Sequence, residues 1–409
     1  MSKRIAAIVF ITIAGYAQTP APPTLDETIA RAVANSPDLR ALEAAVDEAR
    51  ANAMLADAFR SEATVSTTPG YATGLPIAVL GQVPAIGTIE AHRLLYDRSA
   101  RAEAITSASQ VDAAIARLAS ARREVAQNTA TLYASVTAGD AILAAAQRRV
   151  SAYETIVTRT EALRGEGRVR DIDVDRAKLQ LATAQNALAR THSRLELDRA
   201  RLAQAVGSSG GQPPPVVPDT GDPELTSLDV RIAALETAAH LQNARFQPTI
   251  AAQVQYSRLF DRYHRFYLNF RPDDLSAGAT ITLPVFTGGH RGATSARLTA
   301  QIEQLKAERE ARRNAVAADE REAAAEVTQA IAETQLAADA KSIAVQNLRI
   351  AQDLAAEGRG EPNDVPLAEI AVADAEEQLA NANARAMTAR ARLAIIHGAF
   401  FARLSRQDK

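Results

Sequence analysis

The chain has 409 residues, a formal net charge of −2, no cysteine and no tryptophan. This charge balance argues against a nucleic-acid-binding protein, which needs a basic stripe, and the lack of cysteine excludes disulfides and thiolate metal sites. Aromatic residues make up only 4% of the chain, although large globular cores usually draw much of their buried area from them. Abundant alanine instead favours helices that pack closely along their lengths.

The N-terminus predicts a secretory signal peptide over residues 1–17. Lys3 and Arg4 precede an apolar run at 5–13, and small residues then prepare a cleavage site after Ala17. An uncleaved anchor helix is the alternative, but the apolar run is too short to span a bilayer. No later run is long and apolar enough for a transmembrane helix, so any membrane span is expected to be a β-barrel strand.

The rest of the chain is predicted to be an internal duplication. EGRVRDIDVDRA (166–177) and EGRGEPNDVPLA (357–368) share a Gly-x5-Asp-Val pattern. A shift of 191 residues, which places Gly167 on Gly358, keeps further matches in register as far as Gly398. A duplication of this length predicts two structural units of the same architecture.

The repeat also sets the predicted boundaries. Residues 208–223 are rich in glycine and proline, which is typical of a surface linker. The first unit is then 18–207 and the second is 224–400, followed by a C-terminal tail at 401–409. Each unit is predicted to run helix, strand, strand, very long helix, tight turn, helix.

The long helices are predicted at 98–163 and 292–356, which contain no proline. Each would be about 100 Å long, a length typical of coiled coils. After each tight turn an apolar or alanine side chain recurs every seven residues, which predicts a packing seam. The seam positions are Val174, Leu181, Leu188, Leu195 and Leu202, then Val365, Val372, Leu379, Ala386 and Leu393. The two similar turns are therefore the ends of two long helical hairpins.

Four short strands are predicted, at 63–73, 87–96, 248–256 and 278–283. In the second pair Ile250, Ala252, Val254 and Tyr256 share one face, and Gln253, Gln255, Thr280 and Thr282 share the other. Such alternation suits a membrane β-barrel with a watery lumen, although a soluble sandwich would look alike. The segment 260–274 is rich in Phe and Tyr and is predicted to lie at the membrane interface; an ordinary packed loop is the alternative.

Asp173 and Asp364 follow the two turns and are predicted to be N-caps that accept backbone N–H groups. The exposed turns carry Gly167, Val169, Gly358 and Gly360, which we interpret as docking positions for the helical tips of a partner protein. No catalytic constellation is found. The six histidines lie in no metal-ligand spacing, and no cofactor is predicted.

The order of these pieces resembles the TolC-like outer-membrane efflux proteins. The resemblance rests on TLDETIARAVANSPDLRALEAAV (24–46), PVFTGGHRG (284–292), RARLAIIHGAF (390–400) and the two Gly-x5-Asp-Val turns. It implies a mainly α fold with a small membrane β-barrel part. Three protomers would each give four strands to one barrel, and their duplicated helical hairpins would form an α-helical tunnel through the periplasm.

The resemblance also implies a function and partners. The expected protein is an outer-membrane exit duct of a tripartite efflux or type I secretion system, working with a periplasmic adaptor protein and an inner-membrane pump. Asp364 would then form a threefold ring at the periplasmic mouth, and Asp173 would line it less directly. The pattern departs from the family where Leu367 replaces a second aspartate and where Ala355 and Gly360 replace latch residues. A periplasmic adaptor or other coiled-coil protein is the alternative function.

Overall fold

The computed structural model describes residues 23–57, 61–67, 85–207, 221–242, 248–259, 271–284 and 289–398. The described part contains seven helices and four strands in the order α1 (Leu25–Asn35), α2 (Pro37–Leu55), β1 (Ser61–Ser66), β2 (Ala85–Tyr96), α3 (Arg98–Gly165), α4 (Asp171–Val206), α5 (Pro223–Gln242), β3 (Thr249–Leu259), β4 (Asp273–Thr282), α6 (His290–Ala356) and α7 (Asp364–Ile396).

The two long helices confirm the predicted hairpins. α3 has 68 residues and α6 has 67, so each is about 100 Å long. Asp97 begins α3 as its N-cap, because its Oδ1 accepts the N–H groups of Ser99 (2.8 Å) and Ala100 (3.3 Å). α3 returns as α4 and α6 returns as α7, which gives two antiparallel hairpins.

The opening segment, predicted as one helix, forms two. α1 ends at Asn35, and Ser36 adopts an extended conformation and caps α2, which starts with Pro37. Proline is well tolerated in a first helical turn, where its missing N–H would have no partner. Both helices pack on the first long helix, where Ile29 and Leu39 join Leu118 in a buried cluster.

The predicted seams lie between the two helices of each hairpin and between the hairpins. Val174 and Leu195 are buried on α4, and the buried side chains of α7 are mostly small. Small residues let helix axes approach closely and keep dispersion contacts along the full length. The buried alanines of α7 include Ala375, Ala382, Ala386 and Ala389.

The four hairpin helices form a row in the order α4, α3, α7, α6. Neighbours in this row contact one another, and α5, like α7, contacts both α3 and α6. The outermost helices of the row are therefore α4 on the side of the first repeat and α6 on the side of the second.

The strands form one antiparallel sheet in the order β1-β2-β3-β4. β1 starts two residues before the predicted segment and ends at Ser66, whereas 68–73 lie outside the described residues. β4 begins at Asp273 rather than at Gly278, because Asp273 and Asp274 pair with Arg258 and Ser257 of β3. Pairing to a neighbour thus extends a strand into a segment that had been predicted as an aromatic-rich loop.

The predicted alternation of the second strand pair is confirmed by the register. Val254 lies opposite Ala277, Tyr256 opposite Leu275, and Ile250 opposite Ile281. The same face continues onto β2, where Ile89 pairs with Tyr256. Most apolar side chains of this face are exposed in the single chain, whereas Ile250 is half-buried. The opposite face is polar: Thr88 lies 3.5 Å from Ser257, and Gln255 donates to that serine.

Several predictions fall outside the described residues. These are the signal peptide at 1–17, most of the 208–223 linker, the aromatic segment from 260 to 270, and the tail at 401–409. Pro223 is not part of the linker, because it is the first residue of α5. No helix in the described ranges has an apolar stretch long enough to cross a membrane.

A buried aspartate ties the start of α5 to two long helices. The side chain of Asp222 is only 7% exposed and lies 2.7 Å from Arg312 of α6 and 3.8 Å from Arg123 of α3. It also accepts the backbone N–H of Leu225 (3.0 Å). Burial raises the pKa of Asp222, but its bonds to Arg312 and Leu225 and the two positive charges outweigh burial, so its pKa lies below the ordinary value.

We predict that Asp222→Ala destabilises the protein by ~2 kcal/mol, since it leaves two guanidinium groups without their shared acceptor. Thermal melting in detergent at pH 7 measures the effect. The contribution is present above the unfolded-state pKa of about 3.9 and is lost as the pH falls through the lower folded-state value. The difference from the parent protein should therefore shrink below about pH 4.

Asp229→Ala is the matched control, because Asp229 of α5 makes an exposed ion pair with Arg309 of α6 (2.6 Å). Such pairs contribute little. Equal effects of the two substitutions at pH 7 would contradict the role given to Asp222.

Candidate functional site: the tips of the two helical hairpins

The two predicted turns have the same hydrogen-bonded structure. Gly167 donates to the carbonyl of Arg164 (2.8 Å) and Arg168 to that of Leu163 (2.9 Å). In the second turn Gly358 donates to Ala355 (3.1 Å) and Arg359 to Leu354 (2.9 Å). This bond pair ends a helix through a left-handed residue, and the φ angles of Gly167 and Gly358 are 74° and 71°. The shared glycine is therefore required by the backbone at both turns.

The two aspartates accept backbone N–H groups as predicted, but neither is an N-cap. Asp173 is the third residue of α4, and its Oδ2 accepts from the N–H of Arg170 (3.2 Å). Asp364 is the first residue of α7, and its Oδ2 accepts from the N–H of Glu361 (2.7 Å). Each carboxylate thus reaches back three residues, which holds the loop against the start of the helix.

The second tip is built more tightly than the first. α7 starts two positions later in the repeat than α4, which leaves Pro362 and Asn363 in the turn. A β-carbon on Gly360 would lie 3.3 Å from the backbone nitrogen of Ala355. Residue 169, its counterpart, carries a half-buried valine. Leu367, which stands where a second acidic residue was expected, is exposed.

The tips lie side by side. Arg159 of α3 donates to the carbonyl of Pro362 in the second turn. Gly167 and Gly358 have open space where a side chain would project, so the ends of both hairpins present an exposed surface.

An ion-pair cluster joins the two hairpins above the tips. Arg149 of α3 lies 2.7 Å from Asp374 and 2.5 Å from Glu377, while Arg148 lies 2.5 Å from Glu376. Burial lowers the pKa of Arg149, but its bonds to Glu377 and Asp374 reverse this and raise it. Sequence reasoning missed this cluster. The signals were the Arg148-Arg149 pair on one helix and the acidic run on the other, which become partners only in the folded row.

The described residues hold no group of three or more His, Asp or Glu side chains placed to bind a metal ion. His92 is on β2, with its Nε2 3.6 Å from the carboxylate of Glu62. His290 is the first residue of α6, after Gly289, whose φ is 84°.

A family of known proteins matches most of the chain. The family model described as outer membrane efflux protein matches residues 87–208 and 220–399. No curated protein sequence matches the chain.

Solved structures with the same fold include three outer-membrane proteins. The outer membrane protein VceC of Vibrio cholerae is 20% identical, with 91% of this chain and 96% of that chain covered and a TM-score of 0.71. The CmeC outer membrane channel of Campylobacter jejuni is 13% identical, with 100% of this chain and 97% of that chain covered and a TM-score of 0.72. The open state of the MtrE outer membrane channel of Neisseria gonorrhoeae is 16% identical, with 92% of this chain and 89% of that chain covered and a TM-score of 0.70.

Proposed function

Because this chain belongs to the outer membrane efflux protein family, we propose that it is the exit duct of a tripartite export system. It would work as a homotrimer in the outer membrane, joined to a periplasmic adaptor protein and an inner-membrane pump, and would conduct substrates passively to the exterior. The family consists of channels rather than enzymes, in agreement with the absence of a catalytic motif in the sequence.

The observation that carries the proposal is that both layers of the protomer have open edges on the same two sides. β1 and β4 are the edge strands of the sheet, and α4 and α6 are the outermost helices of the row. β2 runs into α3 and β4 runs into α6, so the order of the sheet and the order of the row follow the same direction. The unpaired backbone groups of β1 and β4 cannot remain unsatisfied in lipid. A ring of rotated copies joins β4 of one copy to β1 of the next and closes the helical row at the same time.

The faces of the sheet support the same arrangement. Exposed Val254, Leu275 and Ile281 suit contact with lipid, while the face with Gln253 and Gln255 suits a water-filled lumen. The alternative of a periplasmic adaptor is not supported. The described residues form two helical hairpins and one four-stranded sheet, where an adaptor would have one hairpin between β-rich domains. The family match points to efflux channels.

The proposed assembly can be tested directly. Full-length protein extracted from outer membranes in detergent should be a trimer, because a single protomer leaves its sheet edges and an exposed apolar face without partners. Light scattering on the detergent-solubilised protein measures the oligomeric state, with the detergent contribution subtracted. A folded, monodisperse monomer that needs no detergent would contradict the proposal.

The tips are proposed to dock the helical ends of the adaptor. Gly167→Asn keeps a residue that tolerates a left-handed backbone while adding a side chain at the exposed end, and Val169→Trp adds bulk at an ordinary backbone position. Both should abolish export because they fill the surface that the partner contacts. The measurement is substrate efflux from cells whose own duct has been deleted, with outer-membrane trimer levels checked in parallel.

Glu310→Trp is the control for this test, since Glu310 is exposed on α6 far from the tip. It should leave efflux unchanged. Normal efflux in the tip variants, with trimer present, would show that the tips do not dock a partner.

Asp364 is proposed to form an acidic ring at the periplasmic mouth of the trimer. Three like charges around a narrow passage attract cations and repel anions. Asp364→Asn retains an oxygen that can accept the Glu361 N–H but removes the charge. Single-channel recording in planar bilayers should then show lower cation selectivity and weaker block by multivalent cations, with little change in melting temperature.

Asp364→Ala separates the structural role from the electrostatic one, because it removes both the charge and the bond to the loop. Unchanged selectivity in Asp364→Asn, together with simple destabilisation in Asp364→Ala, would mean that the aspartate only holds the turn. Asp173→Asn should change selectivity less, since Asp173 belongs to the other hairpin.

A further inference from the structure

The outermost helix α6 carries an exposed apolar stripe that no part of the described protomer covers. Leu336 is 71% exposed, Ile343 59% and Ile350 49%. These residues recur every seven positions, and three further residues complete the alternating three-and-four spacing of a coiled-coil seam. The α6 stripe consists of Leu336, Ala340, Ile343, Asn347, Ile350 and Leu354.

The other outermost helix, α4, has an exposed stripe with the same spacing. It begins and ends with leucines, Leu179 at 69% exposure and Leu197 at 50%. Its seam toward α3 lies on a different face, marked by buried Val174, Ala184 and Leu195. The α4 stripe consists of Leu179, Thr183, Asn186, Arg190, Ser193 and Leu197, all of them exposed.

Ion pairs within the protomer fix which residues lie at one height. In two antiparallel helices, residue numbers rise along one helix in the direction in which they fall along the other. Two residues at the same height therefore have numbers whose sum is constant for that pair of helices. The sum is 339 for two pairs between α3 and α4, 718 for two pairs between α6 and α7, and 524 for one pair between α3 and α7. The pairs that give these sums are Glu161–Lys178 and Asp140–Arg199, then Glu333–Arg385 and Glu326–Arg392, and finally Arg148–Glu376. The remaining ion pairs between these helices deviate from these sums by up to four, because long side chains reach along the helix.

Following these sums across the row, residue k of α6 lies, to within about one helical turn, level with residue 533 − k of α4. The six positions of the α6 stripe then fall on the six positions of the α4 stripe. Leu336 lies level with Leu197, and Leu354 lies level with Leu179. Asn347, the amide in the α6 stripe, lies level with Asn186, the amide in the α4 stripe.

We infer that the α6 stripe of one copy packs against the α4 stripe of the next copy at equal height. This inference rests on the proposed trimer, because rotation about an axis parallel to the helices preserves height. Leucines then meet at both ends of the contact, and the asparagines pair in its middle, where a polar pair specifies register.

Charged side chains agree with this register, one of them (Arg190) within the α4 stripe and the others beside the stripes. Asp339 and Asp353 of α6 are both exposed, and so are Arg190 and Arg176 of α4. The two aspartates are fourteen residues apart, as are the two arginines, and each arginine lies one helical turn from the level of one aspartate. An arginine side chain reaches across one turn, and the equal spacing lets Arg190 meet Asp339 and Arg176 meet Asp353 in one register.

Disulfide cross-linking in the trimer tests the inference, because the natural chain contains no cysteine. Leu336→Cys is combined in turn with Leu197→Cys, Arg190→Cys or Thr183→Cys, and the outer-membrane protein is oxidised and run on denaturing gels without reductant. A disulfide requires Cα atoms within about 7 Å, and one heptad displaces a residue by about 10 Å. Cross-linked dimer and trimer should be several-fold more abundant with Leu197→Cys than with the other two.

Leu354→Cys with Leu179→Cys should cross-link equally well, and Leu336→Cys alone should not. The oligomeric state of each variant is measured by light scattering under reducing conditions. A trimer that cross-links at none of these positions would overturn the interface and leave the proposed trimer standing. A trimer that cross-links best at Arg190→Cys or Thr183→Cys would overturn the register. A monomer under reducing conditions would overturn the proposed function itself.

Discussion

The structure depends on one requirement, which is that every edge must find a partner. A four-stranded sheet has two edge strands whose backbone N–H and C=O groups on one side have no partner. A row of four helices likewise has two outer faces. In this chain the open edges of sheet and row lie on the same sides, because each repeat contributes two strands and one hairpin in the same order. In the proposed ring of copies, one head-to-tail contact would serve both layers and would leave neither edge free.

Long helices at close range are stabilised here by many small contributions. The interfaces are built largely from alanine, including Ala134, Ala138 and Ala145 on α3 and Ala330 and Ala337 on α6. Each buries little area, but small side chains let backbones approach and add dispersion contacts over about 100 Å. Exposed ion pairs add little energy individually. Their repetition along one helix instead fixes the sliding register, which a smooth alanine surface would leave weakly defined.

The tips show the same backbone solution reached with different residues. Both turns use a left-handed glycine and an aspartate that bonds back three residues, yet one continues with Val169 and the other with Gly360 and Pro362. The part that the two turns share reverses the direction of the chain. The differing part sets shape and charge at the end of each hairpin, which is where a duct and a partner would meet.

The sequence alone determined the features that depend on neighbouring residues along the chain. The repeat, the long proline-free helices, the position of both turns and the alternating faces of β3 were predicted because helix and strand periodicity are local. The resemblance to the efflux family followed from their order. The boundaries that were missed depend on pairing: β4 starts at Asp273 because β3 offers partners there, and α1 separates from α2 where Ser36 can cap a new helix.

Only the tertiary structure decided which helices are neighbours. The row α4, α3, α7, α6 brings Arg148 and Arg149 to the acidic residues of α7 more than two hundred positions away, and it brings Asp222 between Arg123 and Arg312. No periodicity encodes such contacts, because an exposed charge and a paired charge look alike on a helical wheel. The same holds for the exposed stripes of α4 and α6, since only the packed row shows which helix faces remain uncovered.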